Sequence, residues 1–169
     1  VDGKTCRDSL VIRTSRIFPD AVNDHNTLFG GRLMSDIDMT ASIAAVRHTR
    51  TAVVTASTDS VDFLSPIRPG HSMCLESYVS WTGRTSVEVF TKVIAEDLKT
   101  GDRTVAATAF LTFVALDDDG RPVPVPPVVP ESVEEVFLHE TGDLRAEQRR
   151  DHRRQSQDLA RVLTADRPW

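Results

Sequence analysis

The chain changes its hydrophobic rhythm once, near residue 50. From Gly30 to about His48 there is no proline, and apolar residues recur at Leu33, Ile37, Ala41 and Ala44, which is the spacing of one helical face. After that the period falls to two. The segments AVVTASTDSVDFL, SMCLESYVSWTG, RTSVEVFTKVIAED and RTVAATAFLTFVALDDDG are rich in strand formers and bounded by glycine, proline or aspartate. Their joints are turn sequences: SPIRPG (Ser65 to Gly70), TGR (Thr82 to Arg84), KTGD (Lys99 to Asp102) and DDDGR (Asp117 to Arg121). An earlier run, Ser9 to Phe18, also alternates, with Leu10, Ile12 and Thr14 on one face and Val11, Arg13 and Ser15 on the other, until Pro19 and Asp20 break it. Val105 to Leu116 is apolar on both faces, which predicts a central strand covered on two sides.

The predicted order is one strand, one helix and four strands, and connections this short predict an antiparallel sheet. An α+β domain so composed has one economical packing, in which the antiparallel sheet wraps around the one long central helix and buries its apolar stripe. A small curled sheet leaves an edge strand unpaired, so self-association, at least as a homodimer, is expected. Residues 1–126 make up this domain, and residues 127–169 a separate exit and tail. RPVPVPPVVPE (Arg121 to Glu131) holds five of the nine prolines and is expected to be extended, neither a paired strand interior nor a helix. Beyond it the chain is strongly charged apart from Val133, Val136, Phe137 and Leu138, and predicts a solvated helix or a partly disordered tail.

Composition narrows the function classes. A chain of 169 residues suits one domain with a real core. The formal net charge of -5 argues against a general nucleic-acid or membrane-surface binder. Cys6 and Cys74 are far apart with no metal-ligand spacing, so neither a disulfide framework nor a zinc site is indicated, and a reducing, cytoplasmic setting is expected. No window approaches the roughly 20 apolar residues of a membrane span, and the opening VDGKTCRD has no apolar signal core.

The candidate chemistry lies in HNTLFGGRLMSDID, residues 25–38. On a helical wheel Leu33, Ala44, Ile37, Ala41, Met34 and Ala45 fill one arc, Asp38 falls at its edge, and Asp36 falls nearly opposite, within reach of Arg32. Asp36 therefore reads as surface charge and Asp38 as a carboxylate against the core. A carboxylate there costs desolvation energy unless it is hydrogen-bonded or used as a base, and the wheel alone leaves both readings open. Gly30 and Gly31 sit at the helix start, where the first amides lack partners and the dipole favours negative charge; without Cβ atoms they would let a substrate carbonyl approach. An isolated glycine pair would more simply permit close packing of helix against strand, but beside an edge acid two turns on the pair favours an oxyanion site. No GxSxG, GxxxxGK[ST] or HExxH motif is present. Of the five histidines only His25 lies near this run, as a solvated loop residue, and His48 is expected to favour the helix C-terminal dipole.

NDHNTLFGGRLMSDID, VTASTDSVDFLSPIRPG, GRTSVEV and TAFLTFVALDDDGRPVPVP, in that order over about Ser9 to Pro126, resemble the hot-dog acyl-CoA thioesterases. The resemblance implies a hot-dog fold, hydrolysis of a fatty acyl-CoA to free acid and CoA, and a homo-oligomer, dimeric or a hexameric trimer of dimers. It puts the catalytic acid at Asp38 and the helix-start amides at Gly30 and Gly31. A polar residue expected to act across the dimer with the partner's Asp38 falls on Thr27. Gly83, Arg84, Thr85 and Ser86 fall on the CoA-binding surface. The family's usual glycine is Asn26 here, and Thr27 replaces an Asn or Asp, so Asn23 or Asn26 is an alternative for orienting water.

The chemistry agrees with these parts. A thioester carbonyl is electrophilic and its thiol leaves with a pKa of roughly 8 to 9, so one base and one oxyanion hole suffice. Asp38 activates water or, as the alternative, attacks to give a mixed anhydride. No metal and no cofactor beyond the substrate's own coenzyme A is needed; Arg84, Lys92 or Arg103 could meet its phosphates. Two rivals remain: a hot-dog hydratase, for which only His48 is on offer, and a non-catalytic acyl-CoA-binding sensor, which has little use for a base at Asp38.

Overall fold

The computed structural model describes residues 2–166. Residue 1 and residues 167–169, the outer ends of the two segments expected from the sequence, lie outside them. The chain opens with β1 (Lys4–Thr5) and α1 (Cys6–Ser9), where Thr5 and Asp8 exchange cap hydrogen bonds. Then come β2 (Val11–Arg16), α2 (Gly30–Thr49), β3 (Ala52–Phe63), β4 (His71–Thr82), β5 (Ser86–Asp97) and β6 (Arg103–Leu116). Strand, helix and four strands follow in the expected order. Helix α2 starts at the glycine pair, behind the N-cap residue Phe29, and stops at Arg50, whose φ of 57° makes the left-handed cap.

The five longer strands form one antiparallel sheet in the order β2-β4-β5-β6-β3. Helix α2 touches all five strands, and Leu33, Ile37, Ala41, Ala44 and Ala45 disappear into the core. This is the hot-dog fold. The middle strand is β5, and β6, flanked by β5 and β3 and buried on both faces over much of its length, is the central, doubly covered strand expected there. Along β5, Val87, Val89, Thr91 and Val93 face α2, while Glu88, Phe90 and Lys92 point the other way; nearly all are buried.

The second face is covered by the part of the chain whose charge suggests a solvated tail. After β6 the proline-rich segment runs extended, yet Val128–Val129 pair as β7 in parallel with β1, a short ladder that its composition does not predict. Two helices follow, α3 (Val133–Glu140) and α4 (Gly142–Val162). Gly142 brings α4 onto Trp81: a Cβ there would lie 2.2 Å from Trp81 Cδ1. Glu88 is 0% exposed and accepts hydrogen bonds from Ser80 Oγ (2.9 Å), Arg145 Nη2 (2.7 Å) and Arg149 Nη1 (2.6 Å). Arg145 also stacks 4.3 Å from the centre of the Phe110 ring. From Asp151 to Val162 the helix is exposed.

Two local expectations change. Asp36 is buried, not surface, and pairs with Arg13 of β2 at 3.1 Å instead of Arg32. His48 is fully buried, its Nε2 2.8 Å from Pro126 O; burial holds its pKa below the usual histidine value, so it is not the cation that a helix C-terminus would favour.

Candidate active site

The loop before α2 is built on one side chain. Asn23 Oδ1 accepts from His25 N (3.0 Å), Thr27 N (3.2 Å) and Thr27 Oγ1 (3.2 Å), and Asn23 N donates to Thr27 O (2.8 Å). At the tip Asn26 has φ of 58°, the left-handed region that asparagine enters more readily than other side-chain-bearing residues. That explains how the chain does without the family's glycine there. It also makes Asn26 a turn residue, exposed and facing away from the fold's interior contacts. Asn26→Gly should leave stability within about 0.5 kcal/mol, whereas Asn26→Ala should cost about 1 kcal/mol, read from urea unfolding.

Leu28 N and Phe29 N then tie the loop to Ile67 O (2.7 Å) and Ala21 O (3.0 Å), which delivers Gly30 and Gly31 to the helix start. Arg32 N and Leu33 N already bond to Phe29 O. The amides of Gly30 and Gly31 have no acceptor among the described residues. A Cβ at Gly31 would meet the exposed Phe29 ring at 2.7 Å, so a larger residue there requires that ring to swing aside. Beside these amides is a cavity of about 400 Å³, lined by Asn23, Thr27, Gly30 and Leu33 and by Phe63 to Ile67 of the β3–β4 connection. Its lining mixes apolar Leu28, Leu33, Phe63, Leu64 and Ile67 with polar Asn23, Thr27 and Ser65, a composition that suits a small-molecule site.

Asp38 lies elsewhere than the wheel implies. It is exposed, on a side of α2 that also shows Met34, Met39, Ile43 and Val46 to solvent, and Thr55 Oγ1 of β3 donates to its Oδ1 at 3.2 Å. Seven residues separate it from Gly31, about 10 Å along a helix, so within one chain it does not meet the same carbonyl as the free amides. Thr55 was missed by sequence reading; it sits on a threonine-rich strand where nothing local marks it.

The Gly83 to Ser86 turn is tight, closed by Gly83 N donating to Ser86 O at 2.9 Å, with Arg84 exposed. It is remote from its own chain's cavity. Ser86 is level with Val114 and Val54, whereas Phe63 is level with Ala107 and Val93, so seven residues of β5, about 23 Å, lie between. Lys92 is on the outer face, paired with Glu76 (3.2 Å) and Glu134 (3.1 Å). Arg103 pairs with Glu96 at 3.3 Å and is 69% exposed. No helix among the described residues is long and apolar enough to cross a membrane.

Comparison with known proteins matches this arrangement. The thioesterase superfamily model matches residues 25–101. An uncharacterized acyl-CoA thioester hydrolase of Bacillus subtilis is 60% identical over 97% of this chain and 95% of its own. The acyl-CoA hydrolase of Staphylococcus aureus, solved in complex with butyryl coenzyme A, coenzyme A and coenzyme A disulfide, is 40% identical with a TM-score of 0.90 over 94% of this chain and 96% of that one. Three variants of that protein, with alanine in place of an asparagine, an aspartate and a threonine, have also been solved. An acyl-CoA thioesterase described as an apo hexamer is 42% identical, with a TM-score of 0.87 over 90% and 97% of the two chains. With its sheet, helix-start amides and cavity in this setting, the chain belongs to the acyl-CoA thioester hydrolase family.

Proposed function

We propose that the protein hydrolyses fatty acyl-CoA in a site shared by two subunits, with Asp38 of one as general base and the Gly31 N–H of the other, assisted by Gly30, as oxyanion hole. The observation that carries this reading is the 10 Å gap, by helical rise, between the base and the amides of one chain, combined with the exposure of Asp38 among apolar residues. A two-fold pairing along the edge strand β3 would cover that face and bring Asp38 of the partner subunit to the amides. Dimers then associate by threes, as the hexameric relative suggests. The Staphylococcus aureus variants support the same residues. In order, their asparagine, aspartate and threonine are spaced fifteen and seventeen residues apart, and Asn23, Asp38 and Thr55 repeat both order and spacing.

The roles follow from the hydrogen bonds. Thr55 spends its proton on Asp38 Oδ1 and fixes the carboxylate, leaving Oδ2 to take a proton from water. Asn23, whose Oδ1 is occupied by His25 and Thr27, offers its amide N–H groups to the water or the thioester oxygen, and Thr27 holds it in place. Water adds to the carbonyl carbon, the C=O electron pair moves onto the oxygen facing Gly31 N–H, and collapse expels CoA thiolate, which recovers the proton from Asp38. The acyl chain enters the cavity over Phe63 and Leu64. The Gly83 to Ser86 turn, too far from its own cavity, meets CoA bound to a neighbouring subunit, with Arg84 beside a phosphate. Two unpaired cysteines suit a reducing, cytoplasmic setting; burial pushes the Cys6 thiol up to about 12.

The test is complementation. Asp38→Asn and Asn23→Ala are each expected to be nearly inactive in thiol release from acyl-CoA. Refolded together in equal amounts, they should recover about a quarter of native activity, because half of the dimers are mixed and each mixed dimer holds one intact site. Absence of recovery in mixed dimers would place both residues in one subunit's site.

A further inference from the structure

The strand that presents Thr55 is irregular, and the irregularity is tied to the tail. Between Thr55 and Ser57, and again between Thr58 and Ser60, the register of β3 on β6 slips by one residue, which leaves Ala56 and Asp59 as the two extra residues. Thr55 is level with Phe113 and faces α2. In an unbroken strand residues 57, 59, 61 and 63 would share that face. The first bulge turns Ser57 outward, level with Thr112, and the second restores Val61 and Phe63 to the inside. Asp59 reaches the outer face, where it accepts from Thr112 Oγ1 (2.7 Å) and Arg149 Nη1 (3.3 Å), and takes a short hydrogen bond from Ser57 Oγ. The same Arg149 is anchored on Glu88 at 2.6 Å and is only 14% exposed in its side chain.

We propose that Arg149 of α4 is a positioning residue for hydrolysis: by holding Asp59 outward it fixes the double bulge, and thereby the rotation of Thr55 toward Asp38. This rests on the reading of Asp38 as base and Thr55 as its partner. An unclamped bulge can slide, and a one-residue slip would turn Thr55 away from α2. The clamp acts on the chemical step and not on CoA binding, since neither Arg149 nor Asp59 lies on the cavity side of the sheet.

The experiment compares Asp59→Asn, in the native and Thr55→Val backgrounds, and Arg149→Lys and Arg149→Gln with native protein, with Asp38→Asn in parallel, by steady-state thiol release from butyryl-CoA and by thermal unfolding. Asp59→Asn leaves the Arg149–Glu88 pair and the docking of α4 in place, so it tests the link without undoing the fold. The expected result is a fall in kcat of about 5- to 50-fold with KM within about twofold, substantial recovery of kcat in Arg149→Lys relative to Arg149→Gln, and no further loss when Asp59→Asn is added to Thr55→Val. Equal fold-losses in the native and Thr55→Val backgrounds, or a lowered melting temperature with kcat unchanged, overturn the clamp. If Asp38→Asn keeps its activity, the reading of the base has failed instead, whatever the clamp variants do.

Discussion

Asp38→Asn is expected to lower kcat by about 100- to 10,000-fold while KM and the melting temperature stay near native, because the change removes the proposed base and disturbs no packing. The side chain is exposed in one chain and has a single hydrogen bond, from Thr55, that an asparagine oxygen can still accept. Stability therefore has little to lose within the subunit. Reaction has much to lose, since an amide cannot take a proton from water at neutral pH. Substrate should still bind, so isothermal titration with a non-hydrolysable acyl-CoA analogue should return a near-native Kd. Retention of more than about a tenth of native kcat would remove Asp38 from the mechanism.

Glu88→Ala is expected to be the most damaging single change to stability. Glu88 is fully buried and receives two arginines, so its loss leaves Arg145 without a carboxylate partner and Arg149 with Asp59 alone, both largely buried. Breaking such a group from one side costs about 3–5 kcal/mol. For a chain of this size that is a melting temperature lower by roughly 10 °C. Replacing Glu88, Arg145 and Arg149 together by apolar residues should recover most of the loss, because the cost lies in the stranded charges more than in the missing attraction. Chemical denaturation of the single and triple variants measures both. A loss below about 1 kcal/mol in the single variant would mean that water reaches the cluster.

The sequence makes the core of the fold readable because two periods, 3.6 and 2, each persist long enough to be unambiguous. The limits of α2 fall within one residue of expectation, and every long strand is anticipated. The wheel failed at the two aspartates for an identifiable reason. It assumes one buried arc, but α2 is wrapped by five strands over a wide arc that takes in Asp36 and Thr40. The partner that makes Asp36 tolerable, Arg13, lies on another element, and no local pattern connects them. Asp38, which the wheel sets against the core, is exposed in one chain and held by Thr55. Its side of the helix is apolar and exposed, and would be boundary only with a second subunit in place.

The tail was illegible for the opposite reason. Helix α4 has almost no apolar stripe, and its docking depends on Arg145 and Arg149 meeting one glutamate, with Gly142 against Trp81. The signal lay in β5 instead. Glu88 stands between valines in a strand whose neighbours are all strand formers, and a charge placed there demands a partner. Asp59 on β3 asked the same question.

Synthesis order gives the Glu88 cluster a temporal side. The arginines that neutralise Glu88 follow it by 57 and 61 residues. At a ribosomal rate of about 5–20 residues per second, β5 waits roughly 3 to 12 s for them. Once β6 is made, Phe90 and Phe110, 5.2 Å apart on the face that α4 covers in the finished fold, share that face with a glutamate whose arginine partners are still to come. A charge at that position is expected to discourage the half-covered sheet from pairing with its neighbours before the last helix arrives.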